Sequence, residues 1–129
     1  MKKIWLLLFV LPLISATDSV VKPTVKQLSK KWKLDKYTVF NYSEKPSKKE
    51  QKDYLYLKSN MTFSSVSEGI YEKGTWKLDT KKNRIRLFKP KEKGSLDFIV
   101  HQLTTNKLVL IIDDLSDAEA KYLKIYFKL

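Results

Sequence analysis

Cysteine is absent from this chain of 129 residues, and histidine occurs once, as His101. The first absence excludes disulfides, thiolate nucleophiles and Cys-ligated zinc, so a folded domain must rest on its hydrophobic core alone. The second leaves a poor ligand set for any metal. Glycine (3) and proline (4) are scarce. No Gly-rich phosphate cradle and no Ser-centred nucleophile elbow can be placed. Arginine is nearly missing: Arg84 and Arg86 stand against 24 lysines. Bidentate phosphate and nucleic-acid sites favour arginine, so its scarcity argues against nucleic acid as a partner despite the net charge of +12. That charge fits either a solvated lysine-rich surface or attraction to an anionic envelope surface. Long apolar runs are also lacking, apart from Ile4 to Leu13, which Pro12 interrupts.

That run is roughly half of the ~20 residues a bilayer span needs. Lys2 and Lys3 precede it, and Ile14-Ser15-Ala16 ends in a small residue. Residues 1–16 therefore read as a cleavable export signal, cut after Ala16. No cysteine follows the apolar core, which excludes a bacterial lipid anchor. The expected product is periplasmic or secreted, with no transmembrane span after cleavage. Cleavage leaves 113 of the 129 residues and a charge of about +10, enough chain for one domain.

What is present in abundance is alternation. Residues 17–25 read as a flexible lead and 26–129 as the domain, with a short helix within Pro23 to Lys31 on which Val25 and Leu28 share a face. Trp32 to Tyr42 is strand-like, and its phase becomes ambiguous past Asp35, as at a bend or bulge. Ser43 to Lys52 is a charged loop in which Ser47 and Glu50 have capping-box spacing. Further strands run from Asp53 to Ser59, Met61 to Ser67, Ile70 to Asp79, Arg84 to Lys89, Ser95 to Leu103, Lys107 to Ile112 and Ala120 to Leu129. Gly74 marks either a bulge or the close approach of a crowded tryptophan. Eight strands at this spacing, joined by short turns, predict an all-β protein. Its simplest form is an eight-stranded antiparallel up-and-down β-barrel with a short N-terminal helix, which leaves no open edge.

Four segments carry a resemblance to the bacterial lipocalin-like family, small exported domains common in Bacteroidota. They are Gln27-Leu28-Ser29-Lys30-Lys31-Trp32-Lys33-Leu34, Asn60-Met61-Thr62-Phe63, Gly74-Thr75-Trp76-Lys77-Leu78-Asp79 and Leu103-Thr104-Thr105-Asn106-Lys107-Leu108-Val109-Leu110. The resemblance spans about residues 26 to 129 and implies a lipocalin-like barrel. The superfamily's glycine two residues before the first-strand tryptophan is replaced by Lys30. The chain thus resembles a divergent member, and the ligands of animal lipocalins do not carry over.

Candidate ligand-binding residues of the barrel interior are Trp32, Phe63, Trp76 and Phe98. Trp32 either lines a cavity or closes the barrel floor, since small barrels are usually filled by side chains, and Trp76 is either an inner wall residue or a packing partner of Trp32. The wider aromatic set of Tyr54, Tyr56, Phe63, Phe98, Tyr122 and Tyr126 either coats a cavity or divides between core and outer face. Alternation puts Tyr54 and Tyr56 opposite Leu55 and Leu57, without saying which pair faces in. His101 has no orienting carboxylate within reach, Asp97 being too far along the strand, so no catalytic residue and no metal ligand is assigned. Asp113, Asp114, Asp117 and Glu119 lack EF-hand spacing and read as a solvated loop. No cofactor is expected.

The expected function is therefore a non-enzymatic, exported binding protein. It would hold a small apolar or amphipathic ligand in the barrel, with rim lysines receiving an anionic head group. The alternative is an interaction module of the cell envelope with a side-chain-filled barrel and no ligand. A cavity of ~300 Å3 or more would favour the first.

Overall fold

The computed structural model describes residues 22–40, 42–113 and 123–129. Residues 1–16, expected to be an export signal, residues 17–21, Tyr122 and the acidic Asp114, Asp117 and Glu119 lie outside the described residues.

One helical turn, α1 (Val25–Leu28), opens the fold. Thr24 caps it reciprocally: its Oγ1 accepts from Gln27 N–H at 3.2 Å, and Gln27 Oε1 accepts from Thr24 N–H at 3.1 Å. The helix expected within 23–31 is thus shorter. Pro23 to Val25, read above as the end of a lead, belong to this capped turn.

The strands are β1 (Lys31–Val39), β2 (Tyr42–Glu44), β3 (Tyr54–Leu57), β4 (Thr62–Ser67), β5 (Ile70–Asp79), β6 (Arg84–Phe88), β7 (Leu96–Leu103), β8 (Lys107–Ile112) and β9 (Leu123–Lys128). Apart from β2, neighbours in sequence are antiparallel neighbours in space, and β9 pairs back onto β1. Eight strands close into an up-and-down barrel. The ninth, β2, is where the expected first strand breaks. The chain turns at Phe40, whose φ is +54°, and doubles back on Tyr37 to Val39. On β1, β3 covers only Lys31 to Lys33, so β2 occupies the part of that edge that β3 leaves uncovered.

The ambiguous phase past Asp35 is a bulge, because the β1–β9 register slips between Leu34 and Lys36. The slip restores Tyr37 to the interior face. A second slip between Val100 and Gln102 puts His101 in a bulge of β7. Gly74, by contrast, sits in unbroken register opposite Phe63. A close approach rather than a bulge requires it there, and the neighbours are the Phe88 carbonyl and the Phe63 ring, not the tryptophan expected.

The interior is built by the period-2 alternation. Trp32, Leu34, Leu55, Leu57, Phe63, Trp76, Ile85, Leu87, Phe98, Val100, Leu108, Leu110 and Phe127 are buried together with Leu28 of the helix. This answers the question left open for β3: Leu55 and Leu57 face in. The barrel has one closed end, where α1, the start of β1 and the end of β9 meet. At the other end, the mouth, lie the β4–β5 turn and the β6–β7 connection. No helix among the described residues is long and apolar enough to cross a membrane.

Candidate functional site

The two tryptophans seal the closed end. Both are fully buried. Trp32 Nε1 donates to the Leu28 carbonyl at 2.9 Å, which ties α1 across the floor. Trp76 Nε1 donates to the Lys58 carbonyl, also at 2.9 Å, holding the β3–β4 turn. Each indole thereby satisfies its one donor while burying its rings.

Above this floor the barrel is not filled. A half-open cavity of about 210 Å3 leads from the core to the mouth. Its apolar wall includes Leu34, Leu55, Phe63, Leu87, Phe98 and Phe127. Of the four interior candidates, Phe63 and Phe98 stand on this wall. Trp32 and Trp76 lie beneath it and do not line it. Of the wider aromatic set, Tyr54 lines the mouth. Tyr56 lies half out with Lys58 Nζ 5.1 Å from its ring centroid. Tyr126 is stacked outside between Lys36 and Lys107.

Sequence reasoning missed the polar end of the cavity, formed by Tyr37, Asp53, Ser65, Glu72 and Lys89. Tyr37 Oη donates to Glu50 Oε2 at 2.6 Å. Glu50 belongs to a single 3-10 turn, Lys48–Glu50, inside the loop where Ser47 and Glu50 had capping spacing. That hydrogen bond pins the loop beside the mouth. Burial, then the Glu50 contact, pushes the Tyr37 phenol up, and the Tyr37 hydroxyl lowers the Glu50 carboxyl. Asp53 is only 7% exposed, and its Oδ1 accepts from Glu68 N–H at 2.9 Å. Burial outweighs that bond and raises its pKa, with Glu50 and Glu68 adding to the rise. Lys89 is held by Glu72 at 2.9 Å and Glu92 at 3.7 Å, Glu72 being the main reason its pKa rises.

Among the described residues, rim lysines do not gather at this cavity as expected for an anionic head group. The one described lysine on it, Lys89, is already paired with two glutamates, and two carboxylates, Asp53 and Glu72, share the wall. The period-2 pattern that would have marked Asp53 and Glu72 as inward was present in β3 and β5. A charged residue at an interior position simply carries no apolar signal.

Outside the cavity the remaining candidates are dispersed. His101 is exposed on its bulge, and partial burial of the ring, then Lys124, lower its pKa. Arg84 pairs with Asp113 at 2.9 Å, and Arg86 lies 3.6 Å from Asp97 and 3.9 Å from Asp79. Both arginines are thus committed to carboxylates on the outer wall. Among the described residues no three His, Asp or Glu side chains gather as a metal site would need.

A family model described as a lipocalin-like domain matches residues 28–110, well over half of the chain. The crystal structure of a lipocalin-like protein from Bacteroides uniformis is similar, with a TM-score of 0.56 at 20% identity, covering 79% of this chain and 97% of that one. An NMR structure of a protein from the same organism superposes with a TM-score of 0.53 at 14% identity, covering 81% and 91%. At such identities the likeness concerns the fold alone. No curated protein matches the chain.

Proposed function

The chain belongs to the lipocalin-like domain family, and from that premise we propose that it is an exported, non-enzymatic binding protein whose barrel takes up the apolar part of a small amphipathic molecule. The reading is supported by one observation above all: a half-open apolar cavity that ends in a polar patch at the mouth. Apolar ligand surface would gain by leaving water against Leu34, Phe63, Phe98 and Phe127, while Tyr37, Asp53 and Ser65 offer hydrogen bonds to its polar end. Export is supported by the basic start and short apolar core of residues 1–16.

The cavity's size and charge narrow the ligand. At about 210 Å3 it lies below the ~300–1,000 Å3 of drug-sized sites. A short chain or a single ring fits, and a large macrocycle does not. The carboxylates of Asp53 and Glu72 favour an amine or alcohol head over a carboxylate. The test is a titration of the protein lacking residues 1–16 with a fatty amine, alcohol and acid of equal short chain length. Thermal unfolding and the aromatic proton signals of Phe63 and Phe98 would be followed. Ligand at a hundredfold excess over its Kd adds about 2.7 kcal/mol, a shift of several degrees. The amine or alcohol should give it, with the acid weakest. No shift with any head group would sink the reading.

The second reading, an envelope interaction module that works through its outer surface, is favoured by the same volume. The cavity falls short of the size that marks a dedicated ligand site, and the closed half is filled with side chains.

A further inference from the structure

Beside the cavity mouth the outer wall carries a second concavity, of about 280 Å3, lined by Lys31, Lys33, Gln51, Lys52, Asp53 and Tyr54. It forms where β3 leaves β1 and the 45–52 loop crosses over. Lys31 and Lys33 project from the same face of β1, two residues apart, and Lys52 enters from the loop. Lys31 Nζ lies 4.3 Å from the centroid of the Tyr54 ring. The Asp53 carboxylate, whose Oδ1 accepts from Glu68 N–H, also lines the groove and offsets one of its positive charges. None of the three lysines is ion-paired among the described residues. Three lysines against one carboxylate leave the concavity net positive, a charge that an anion would complement.

The strand register shows what adjoins this groove. Lys33 pairs with Tyr54, Tyr54 with Val66, and Val66 with Tyr71, so these four residues form one row across β1, β3, β4 and β5, with Tyr54 and Val66 also reaching the cavity mouth. At its far end Tyr71 is 58% exposed, and Ile70, at the tip of the β4–β5 turn, is 65% exposed. The closed end is the opposite: its turns are Lys58 to Asn60, Thr80 to Asn83 and Thr104 to Asn106, all polar. An apolar tip next to an unpaired basic groove is the pairing of features that holds a protein at a bilayer interface, with apolar side chains in the acyl boundary and ammonium groups at the phosphates.

We propose that this flank of the mouth docks on an anionic lipid surface, with phosphate head groups in the Lys31–Lys33–Lys52 groove and Ile70 and Tyr71 in the acyl boundary. It deepens the surface-module reading by naming the partner and the face. It stands or falls independently of the cavity's ligand. Tyr54 lines both the groove and the cavity mouth, so docking brings the mouth to the lipid surface.

The experiment is sedimentation of the protein lacking residues 1–16 with vesicles. One set is phosphatidylcholine alone, and the other is equal parts phosphatidylcholine and phosphatidylglycerol. Binding is expected only to the anionic vesicles and should weaken with salt. Replacing the groove as Lys31→Gln, Lys33→Gln and Lys52→Gln should lower partitioning about a hundredfold, at roughly fivefold per lysine. Ile70→Ser with Tyr71→Ser should lower it further. The control Lys26→Gln, Lys81→Gln and Lys82→Gln removes the same charge from the closed end and should change partitioning little. Circular dichroism and melting of each variant confirm that it folds. An equal loss in the control would mean bulk charge rather than this face, and would overturn the proposal. So would equal binding to neutral vesicles, or none to either. Displacement by soluble glycerophosphate at concentrations matching the lipid phosphate would assign the groove to a free phosphate ester instead. Self-association abolished by Ile70→Ser and Tyr71→Ser would make the tip an interface between copies of this chain and would also overturn it.

Discussion

Replacing Gly74 by alanine sets two effects of opposite sign against each other. Removing a glycine from a strand stiffens the unfolded chain, which by itself stabilises by about 0.4–1 kcal/mol. The structure opposes this. A Cβ at position 74 would lie 2.0 Å from the Phe88 carbonyl oxygen and 2.9 Å from Cε1 of Phe63. The Phe63 ring can tilt away. The Phe88 oxygen cannot, because β6 is locked to β5 through Thr75–Phe88, Trp76–Leu87 and Lys77–Arg86. Relief requires the two strands to part by more than about 1 Å beside the fully buried Trp76. Overpacking of this kind typically costs about 1–3 kcal/mol, and a backbone obstacle puts the cost at the upper end. The net expectation is a loss of about 2 kcal/mol, or roughly 10 °C in Tm for a domain of this size. Urea and thermal unfolding of the protein lacking residues 1–16 would measure it. Adding Phe63→Leu should not restore stability, because it removes only the movable obstacle. A Gly74→Ala variant as stable as the parent would refute the close approach of β5 and β6 and return Gly74 to the bulge reading.

Three further outcomes follow from the same geometry. Trp76→Ala should cost about 3–5 kcal/mol as a large-to-small core change. Trp76→Phe should cost far less, since Met61 N–H also donates to the Lys58 carbonyl and leaves it satisfied; equal costs in urea titration would contradict the floor assignment. Tyr37→Phe removes the hydroxyl that lowers the Glu50 carboxyl, and should cost about 1 kcal/mol at neutral pH because Glu50 is partly solvated. Glu50 is more acidic folded than unfolded, so its contribution is complete above its ordinary range and lost as pH falls through the lowered value. The gap between Tyr37→Phe and the parent should therefore close in acid, and a constant gap would contradict the assignment. Asp53 has the opposite sign: its raised pKa means the buried carboxylate destabilises at neutral pH and is relieved as pH falls. Asp53→Asn, which can keep the bond from Glu68 N–H, should then be more stable than the parent at pH 7 and lose that advantage in acid. A less stable variant at pH 7 would show that the carboxylate is needed.

The sequence by itself determined the barrel. Strict alternation over strands such as Arg84–Phe88 and Tyr54–Leu57 leaves one face apolar, and short turns make successive strands neighbours, so closure is the economical way to bury that face and hide the edges. The bulge at Asp35 was legible too, because a slip of one residue inverts every later side chain and shows as a broken phase. Other features needed atoms from distant parts of the chain. The break at Phe40 depends on β3 being too short to cover β1. The role of Gly74 depends on where the Phe88 carbonyl falls. Whether Trp32 and Trp76 wall a cavity or seal a floor turns on partners at Leu28 and Lys58. The polar end of the cavity joins Tyr37, Asp53, Ser65, Glu72 and Lys89 from five strands and their flanks. Only the tertiary structure decided these, because alternation says that a side chain faces in but not at what height along the barrel axis it arrives. That height is set by strand tilt and register, and it separates a filled floor from an open mouth.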